Sequence, residues 1–327
     1  MSPDRIINIG IMGCASIANR SLIPSILSLN KNFNLVAIAS RDKEKSQQFA
    51  KKFKCLSCHG YQSLLEIKKL DAVYIPLPTG LHLEWINKSL DAGLHVYAEK
   101  SIAMNGNDAT NMVQNADKNS LGLMEGYMFQ YHSQHYQIKD LIKLNAIGNI
   151  RFMYSSFGFP PLDDSNFRYD EEIGGGVIMD AAGYPLRAVH NLLGDDMNVT
   201  ASALKISKNF KIPIWGSAYL SNHKGLGAAI GFGFDNFYQC KHEIWGSTGK
   251  IISNRVFTAG EDIEPEIEIE TELGIKKIKI PKDNHFTNAL KEFYALIFDE
   301  NLKKKHYGEI LLQSKSLDLI KQLSLEN

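Results

Sequence analysis

Residues 6–18 read Ile6-Ile-Asn-Ile-Gly10-Ile-Met-Gly13-Cys-Ala15-Ser-Ile-Ala18. Ile6 to Ile11 fits a short buried strand. The small residues after it fit a tight turn into a helix that runs to about Leu29. The first N–H groups of such a helix have no partner of their own and suit a pyrophosphate. In the dinucleotide fingerprint three glycines allow the tight turn, the close approach of phosphate and the packing of helix on strand. Gly13 holds the first of these positions, and Ala15 and Ala18 replace the other two. Small residues at a strand–helix junction can serve packing alone, but the strand before and the helix after favour the phosphate reading.

The same rhythm continues downstream. Leu35–Ala39, Ala72–Ile75, His95–Ala98 and a closing run 121–125 are short and apolar. Helical stretches separate them, including Asp42–Phe53 and the run holding Trp85. Alternation of this kind gives right-handed βαβ units and a doubly wound parallel sheet. The pattern changes after about residue 148. Strands are expected at 151–159, 199–206, 215–220, 226–234, 237–245 and 250–257, then as an alternating pair, 266–270 and 275–280, about Gly274. Strict alternation marks antiparallel strands with one wet face. Helices close the chain at 288–298 and 309–325. The expected fold is α/β: a Rossmann domain over 1–124, then an α+β domain over 125–327 with a large, mostly antiparallel open sheet.

Composition excludes several classes. Lys+Arg and Asp+Glu are 36 each over 327 residues, so no basic field for nucleic acid or polybasic membrane patch is present. No apolar run reaches the roughly 20 residues a membrane span needs. Met1-Ser-Pro-Asp-Arg5 leads straight into the first strand with no signal-length apolar stretch, and four cysteines are too few for a disulfide scaffold. A cytoplasmic protein with free thiols is expected.

Three further places carry chemistry. The second strand ends Ser40-Arg41-Asp42, where an NAD enzyme usually sets an acid for the ribose 2′-hydroxyl. A hydroxyl and a guanidinium suit a 2′-phosphate and favour NADP(H), while Asp42 could still serve a 2′-hydroxyl. Glu99-Lys100 stands at the carboxyl end of the fourth strand, where ligands of doubly wound sheets bind. In the second half, Gly174-Gly-Gly176-Val-Ile-Met-Asp180-Ala-Ala-Gly-Tyr184 enters a helix, with Asp180 and Tyr184 four apart on one face. A tyrosine near a lysine cation can pass a proton to a developing alkoxide. The glycine run also fits a plain hinge, and the residues alone leave both readings open.

Taken together these stretches resemble the glucose–fructose oxidoreductase / inositol dehydrogenase (Gfo/Idh/MocA) family over essentially the whole chain. The resemblance rests on GIMGCASIA, VAIASRDKEKSQQFA, AVYIPLPTGLHLEWI, AGLHVYAEKSIA, MEGYMFQYHSQH, GGGVIMDAAGYPLRA and WGSTGKI. PLPTGLHLEW, the HxQH after MEGYMF, FPPLDDSNFRYDEEIGGG and AAGYPLRA look like its NDP-hexose 3-ketoreductase branch. The resemblance implies NADPH-dependent reduction of a keto group on a nucleotide-activated deoxysugar. It places Gly13, Cys14, Ala15, Ser16 and Ile17 on the pyrophosphate and Ser40 and Arg41 on the 2′-phosphate. Leu77, His82 and Glu99 fall by the nicotinamide ribose, and Arg168 falls on the cofactor. Lys100, Asp180 and Tyr184 form the catalytic set, with no metal. Two departures stand out: Ser101 replaces the usual proline after Glu99-Lys100, and Ser133 stands where proline is common. A free sugar, inositol or dihydrodiol dehydrogenase is the alternative. A non-catalytic dinucleotide sensor is the second, although a sensor needs none of Lys100, Asp180 and Tyr184.

Other signals carry less. Cys55-Leu-Ser-Cys58-His59 spells a haem-attachment string, but haem attachment requires export. His132 and His135 lack acidic or cysteine partners at metal-ligand spacing. An open antiparallel sheet leaves a face to cover, so a homo-oligomer, dimer or tetramer, is expected through it.

Overall fold

The computed structural model of the chain describes residues 5–325. It divides into two compact units, one ending at Gly126 and regaining Phe286–Ser314, the other comprising Tyr127–His285 and the chain from Lys315.

The first unit holds six strands: β1 (Ile7–Met12), β2 (Phe33–Ser40), β3 (Leu56–His59), β4 (Ala72–Ile75), β5 (His95–Ala98) and β6 (Leu123–Glu125). Their order is β3-β2-β1-β4-β5-β6 and every pairing is parallel. This is the doubly wound order expected, and its switch point lies between β1 and β4. Helices α1 (Ile23–Ser28), α2 (Lys43–Phe53), α3 (Tyr61–Leu65), α4 (His82–Asp91) and α5 (Gly106–Lys118) connect the strands. Helices cover both faces, so β4 is buried at every residue, which explains its unbroken apolar run. The haem-like string forms most of edge strand β3, which the sequence reading passed over. Leu56, Ser57 and His59 are exposed and only Cys58 is buried, so the segment has no apolar pattern of its own.

The expected border at 124/125 falls at 126/127, but the second domain is not one continuous stretch. Helix α8 (His285–Phe298) gives the first unit a face of Ala289, Leu290, Phe293 and Leu296, all fully buried. Phe293 packs on Tyr97 of β5 at 5.6 Å between ring centres. Early in α9 (Glu300–Leu325), Tyr307 donates its hydroxyl to the Leu121 carbonyl. Amphipathic periodicity told that these were helices, not which core would take their apolar faces.

The second unit carries β7 (Ile150–Gly158), β8 (Asn198–Ile206), β9 (Pro213–Ser221), β10 (Gly227–Gly233), β11 (Gln239–Gly246), β12 (Gly249–Asn254), β13 (Glu266–Thr271) and β14 (Gly274–Lys279). The order is β14-β13-β12-β11-β7-β10-β9-β8, antiparallel throughout except for the β7–β10 pair. Met153, Phe157, Leu220, Ile230 and Ile244 point to the inner face. They share a core with Leu186 and Val189 of α7 (Gly183–Leu193), with residues of α6 (Ser133–Lys143), and with Leu317 and Ile320. Alternate residues point to the other face, and these include aromatics: Tyr154, Trp215, Tyr219 and Trp245 are each 43–53% exposed.

Candidate active site

The turn after β1 opens beside the switch point. Gly13 donates its N–H to the Ala39 carbonyl at 2.9 Å and has φ +125°. A Cβ there would stand 2.9 Å from Leu77 Cδ2, so both backbone angle and space ask for glycine. Gly13, Cys14 and Ala15 line a cleft of about 570 Å³ with Ser40, Arg41, Asp42, Lys45, Tyr61 and Leu77. Ser16 and Ile17 begin the helix beyond it. Burial pushes the Cys14 thiol up, away from thiolate reactivity.

The far end of the cleft bears on the choice that Asp42 left open. Asp42 is the N-cap of α2, and its Oδ1 accepts the Lys45 N–H at 3.1 Å. Ser40 Oγ accepts the Asp42 N–H at 3.1 Å. The acid is thus tied into the helix start, while Arg41 and Lys45 supply two cations. Tyr61 packs edge-on against Trp85, with 5.1 Å between ring centres. A phosphate-ready turn at one end and two cations with a serine hydroxyl at the other fit NADP(H). Sequence reasoning did not name Lys45 or Tyr61. The available signal was the N-cap itself, which brings the residue three positions on to the strand end.

Lys100 follows β5. The Glu99 N–H bonds the Ile75 carbonyl at 3.0 Å, and Glu99 Oε1 accepts the Tyr74 hydroxyl at 2.6 Å. The Lys100–Ser101 peptide is cis, and Ser101 is buried. Glu125, itself buried, accepts the Ile102 N–H at 2.9 Å. His82 is wholly buried. Its Nε2 lies 2.8 Å from the Leu77 carbonyl, and its Nδ1 lies 3.1 Å from those of both Ser101 and Ile102. Burial lowers its pKa to about 4 despite those carbonyls, so the ring is neutral at pH 7. With one N–H to give, the neutral ring hydrogen-bonds on one side only, so His82 clasps the loop holding Leu77 to the loop just after Lys100 by that bond and by packing. Neither this clasp nor Glu125 was visible in the sequence, because both depend on contacts 19 or more residues apart.

In the second unit, Asp180 sits in a π-helical turn, Ile178–Ala182, and Tyr184 in the α-helix that follows. The sequence reading expected one regular helix. Pro185 explains the difference: it has no N–H to give and its ring crowds the carbonyl four residues back, which a widened turn relieves. Tyr184 is 8% exposed, its ring enclosed by Tyr127, Phe129, Phe157 and Phe257 at 4.8–5.8 Å between centres. Arg168 Nε lies 2.8 Å from Asp180 Oδ2. Arg168, Asp180 and Tyr184 thus gather in the second unit, while Lys100 and the cofactor cleft belong to the first.

Residues 7–127 match the model of the oxidoreductase family with NAD-binding Rossmann fold, and residues 135–252 match the GFO/IDH/MocA C-terminal domain. A dTDP-3,4-didehydro-2,6-dideoxy-alpha-D-glucose 3-reductase from Saccharopolyspora spinosa is 36% identical over 316 residues, 95% of each chain. The chain belongs to the Gfo/Idh/MocA oxidoreductase family. Within it, the 3-ketoreductase KijD10 from Actinomadura kijaniata, solved with NADP and TDP-benzene, superposes with a TM-score of 0.93 at 32% identity, covering 97% of this chain and 98% of that one. A D-xylose 1-dehydrogenase (NADP(+)) from Haloferax volcanii is more distant, 28% identical over 80% of each chain. The family member described here shares its branch with the 3-ketoreductases, and NADP(H) is its cofactor.

Proposed function

We propose that this enzyme reduces a keto group, at C3, on a dTDP-activated deoxysugar, and that it does so in the cytoplasm, where its free cysteines stay reduced. The full-length likeness to 3-ketoreductases carries the reading. The two cations at the cofactor cleft and the retained Lys100, Asp180 and Tyr184 support it. The Actinomadura kijaniata enzyme has also been solved with one lysine replaced and with one tyrosine replaced. Those two positions are separated in that chain by the same number of residues as Lys100 and Tyr184.

NADPH, when bound, supplies the hydride. The backbone from Gly13 to Ile17 holds the pyrophosphate, and Ser40, Arg41 and Lys45 hold the 2′-phosphate. Leu77 and Glu99 border the nicotinamide ribose, and His82 keeps their loops in place from beneath. Lys100 and Tyr184 act on the substrate oxygen, one giving the proton and the other stabilising the charge. Asp180 completes the acid–base set.

The outer face of the eight-stranded sheet supports self-association. Tyr154 and Tyr219 flank the small Ala229, and Trp215 stands opposite Gly233, so aromatic walls border a trough of small residues. An apolar patch of this kind is a common subunit interface. Trp215→Glu should shift the mass measured by light scattering towards the monomer.

The test of function is turnover. NADPH should be consumed with dTDP-3,4-didehydro-2,6-dideoxy-alpha-D-glucose, and dTDP should raise the melting temperature further in the presence of NADPH. Oxidation of free xylose, inositol or a dihydrodiol with NADP⁺, without turnover of any nucleotide ketosugar, would overturn the reading.

A further inference from the structure

The motif His132-Ser133-Gln134-His135 opens α6 and ties it to a distant part of the same unit. His132 caps the helix, its Nδ1 accepting the Gln134 N–H at 3.2 Å. Gln134 Oε1 receives the Ser253 hydroxyl at 3.5 Å, close to the end of β12. His135 Nε2 donates to the Val256 carbonyl at 2.7 Å, in the turn that follows β12. Two residues of the motif thus reach one stretch, 119 and 121 positions downstream. His135 is wholly buried. Burial holds its pKa at about 3, so the ring is neutral and has one N–H to give. Its Nδ1 makes no hydrogen bond among the described residues. The bond to Val256 is therefore the one directional tie of this ring.

The turn it grips carries Phe257. The Phe257 N–H meets Cys240 Sγ of β11 at 3.2 Å, and the Thr258 hydroxyl meets the same sulfur at 3.5 Å. The Phe257 ring is fully buried, 5.5 Å from the Tyr184 ring and 4.8 Å from that of Phe129. Phe129 in turn lies 5.8 Å from Tyr184 and 5.1 Å from His135, which it meets edge-on. His135 therefore acts on two walls around Tyr184, through the residue before Phe257 and through direct contact with Phe129. His242, also wholly buried, fills the corner behind them, 5.7 Å from His135 and 5.1 Å from Phe257. Its Nδ1 shares a hydrogen bond with the Ser155 hydroxyl at 3.0 Å, so this backing is itself anchored to β7. Rings packed this closely pass a displacement on rather than absorb it.

We propose that His135 is a positioning residue for Tyr184: by tying residues 256–258 to α6, it holds the Phe257 and Phe129 walls that fix where the tyrosine hydroxyl stands. The role in turnover rests on the ketoreductase reading above. A misplaced tyrosine costs rate rather than coenzyme affinity, because alignment of the reacting groups enters the barrier steeply.

His135→Leu removes the tie, and His135→Gln keeps an amide N–H near the place of Nε2. His135→Leu should lower kcat about 10- to 100-fold. The Kd for NADPH, read by fluorescence titration, should stay within about twofold. His135→Gln should recover most of the rate. In the Tyr184→Phe background, His135→Leu should cost little more, because residues that act as a unit do not lose rate additively. Additive losses in the pair, a raised Kd for NADPH with kcat kept, or no recovery with glutamine would overturn the proposal and leave His135 as core packing. Phe257→Leu approaches the same wall from the other side. It should lower kcat and fall silent in the Tyr184→Phe background. An unchanged kcat in folded Phe257→Leu protein overturns the proposal even where His135→Leu does not fold.

Fluorine NMR of protein labelled with meta-fluorotyrosine reads the brace without turnover. The Tyr184 resonance is the one that Tyr184→Phe removes. It should shift and broaden in His135→Leu and return towards its original place in His135→Gln, and an unmoved resonance in His135→Leu overturns the proposal. A moved resonance in a protein that turns over no nucleotide ketosugar would defeat the substrate reading and leave the brace standing.

Discussion

Two junctions of this chain are built alike and used differently. Each unit has a small-residue turn, then a π-helical turn, then an α-helix with proline near its start. In the first unit these are Gly13–Ala15, Ala18–Leu22 and Pro24; in the second they are Gly174–Gly176, Ile178–Ala182 and Pro185. The widened turn answers the proline both times, and in the first the Ile23 N–H reaches back five residues to the Ala18 carbonyl. The glycines differ. Gly13 gives its N–H to Ala39 of the neighbouring strand and leaves the turn beside it open against a cleft, while Gly175 and Gly176 close their own loop on itself. On the function proposed above, one junction offers backbone to the coenzyme. The other consumes its backbone internally and offers side chains, Asp180 and Tyr184. This is the division expected between holding a cofactor and doing acid–base chemistry.

The strongest test of that division is Tyr184→Phe. General acid help is typically worth about 100- to 10,000-fold. If the second junction exists for its side chains, kcat should fall by that order, while NADPH binds as before in a fluorescence titration. An unchanged kcat would end the comparison.

Acid should separate the units next. The second unit buries His132, His135, His190, His242 and His285; burial lowers all five, His135 to about 3 and His190 and His285 to about 4. Burial outweighs the neighbouring charges, such as Asp283 for His132 and His285, while His135 faces the Val256 carbonyl and His242 the Ser155 hydroxyl. The first unit has His82 and His95, each at about 4. A histidine whose folded pKa lies below its unfolded value near 6.5 gives its full stability above that pH. It loses up to about 1.4 kcal/mol per pH unit as pH falls towards the folded value. Between about pH 6.5 and 4 the second unit should therefore weaken more steeply. Urea unfolding of single-tryptophan variants, Trp85 for the first unit and Trp245 for the second, reads each one. Equal slopes would contradict it.

The two glycines give a smaller and more pointed contrast. Gly13→Ala forces a side chain into a φ of +125°, a strain of about 1–3 kcal/mol. NADPH affinity should drop about tenfold with kcat at saturation little changed. Gly175→Ala should do the reverse, because its Cβ meets two backbone oxygens and pushes Arg168 away from Asp180. Steady-state kcat and the Kd for NADPH separate the two outcomes. Loss of NADPH binding in Gly175→Ala would show that the junctions are not divided as described.

Much of this was readable before any coordinates. Apolar runs such as Ala72–Ile75 named the parallel strands because burial on both faces leaves no other composition. Alternation about Gly274 named the β13–β14 hairpin. Gly13, Lys100, Asp180 and Tyr184 stand at the strand ends and helix starts where the sequence placed them. What stayed hidden depends on distant partners. Edge strand β3 takes its shape from β2 rather than from its own pattern. The return of α8 to the first unit, the His82 clasp and the Arg168–Asp180 contact need two segments brought together in space. The π turns could have been suspected from Pro24 and Pro185, each set inside a helical run.

Asp42 carries the smallest expected effect and sharpens the cofactor side of the contrast. As N-cap of α2 its removal should cost about 1 kcal/mol of stability in Asp42→Ala. Arg41 and Lys45 would remain, so the ratio of kcat/KM for NADPH to that for NADH should hold steady. Were Asp42 a ribose ligand instead, the same change would weaken NADH use selectively and raise that ratio. The helix start claims its carboxylate through the Lys45 N–H, and a carboxylate committed to capping is poorly placed to choose between coenzymes. A steady ratio together with a lowered melting temperature would assign Asp42 to the helix and leave coenzyme choice to the two cations.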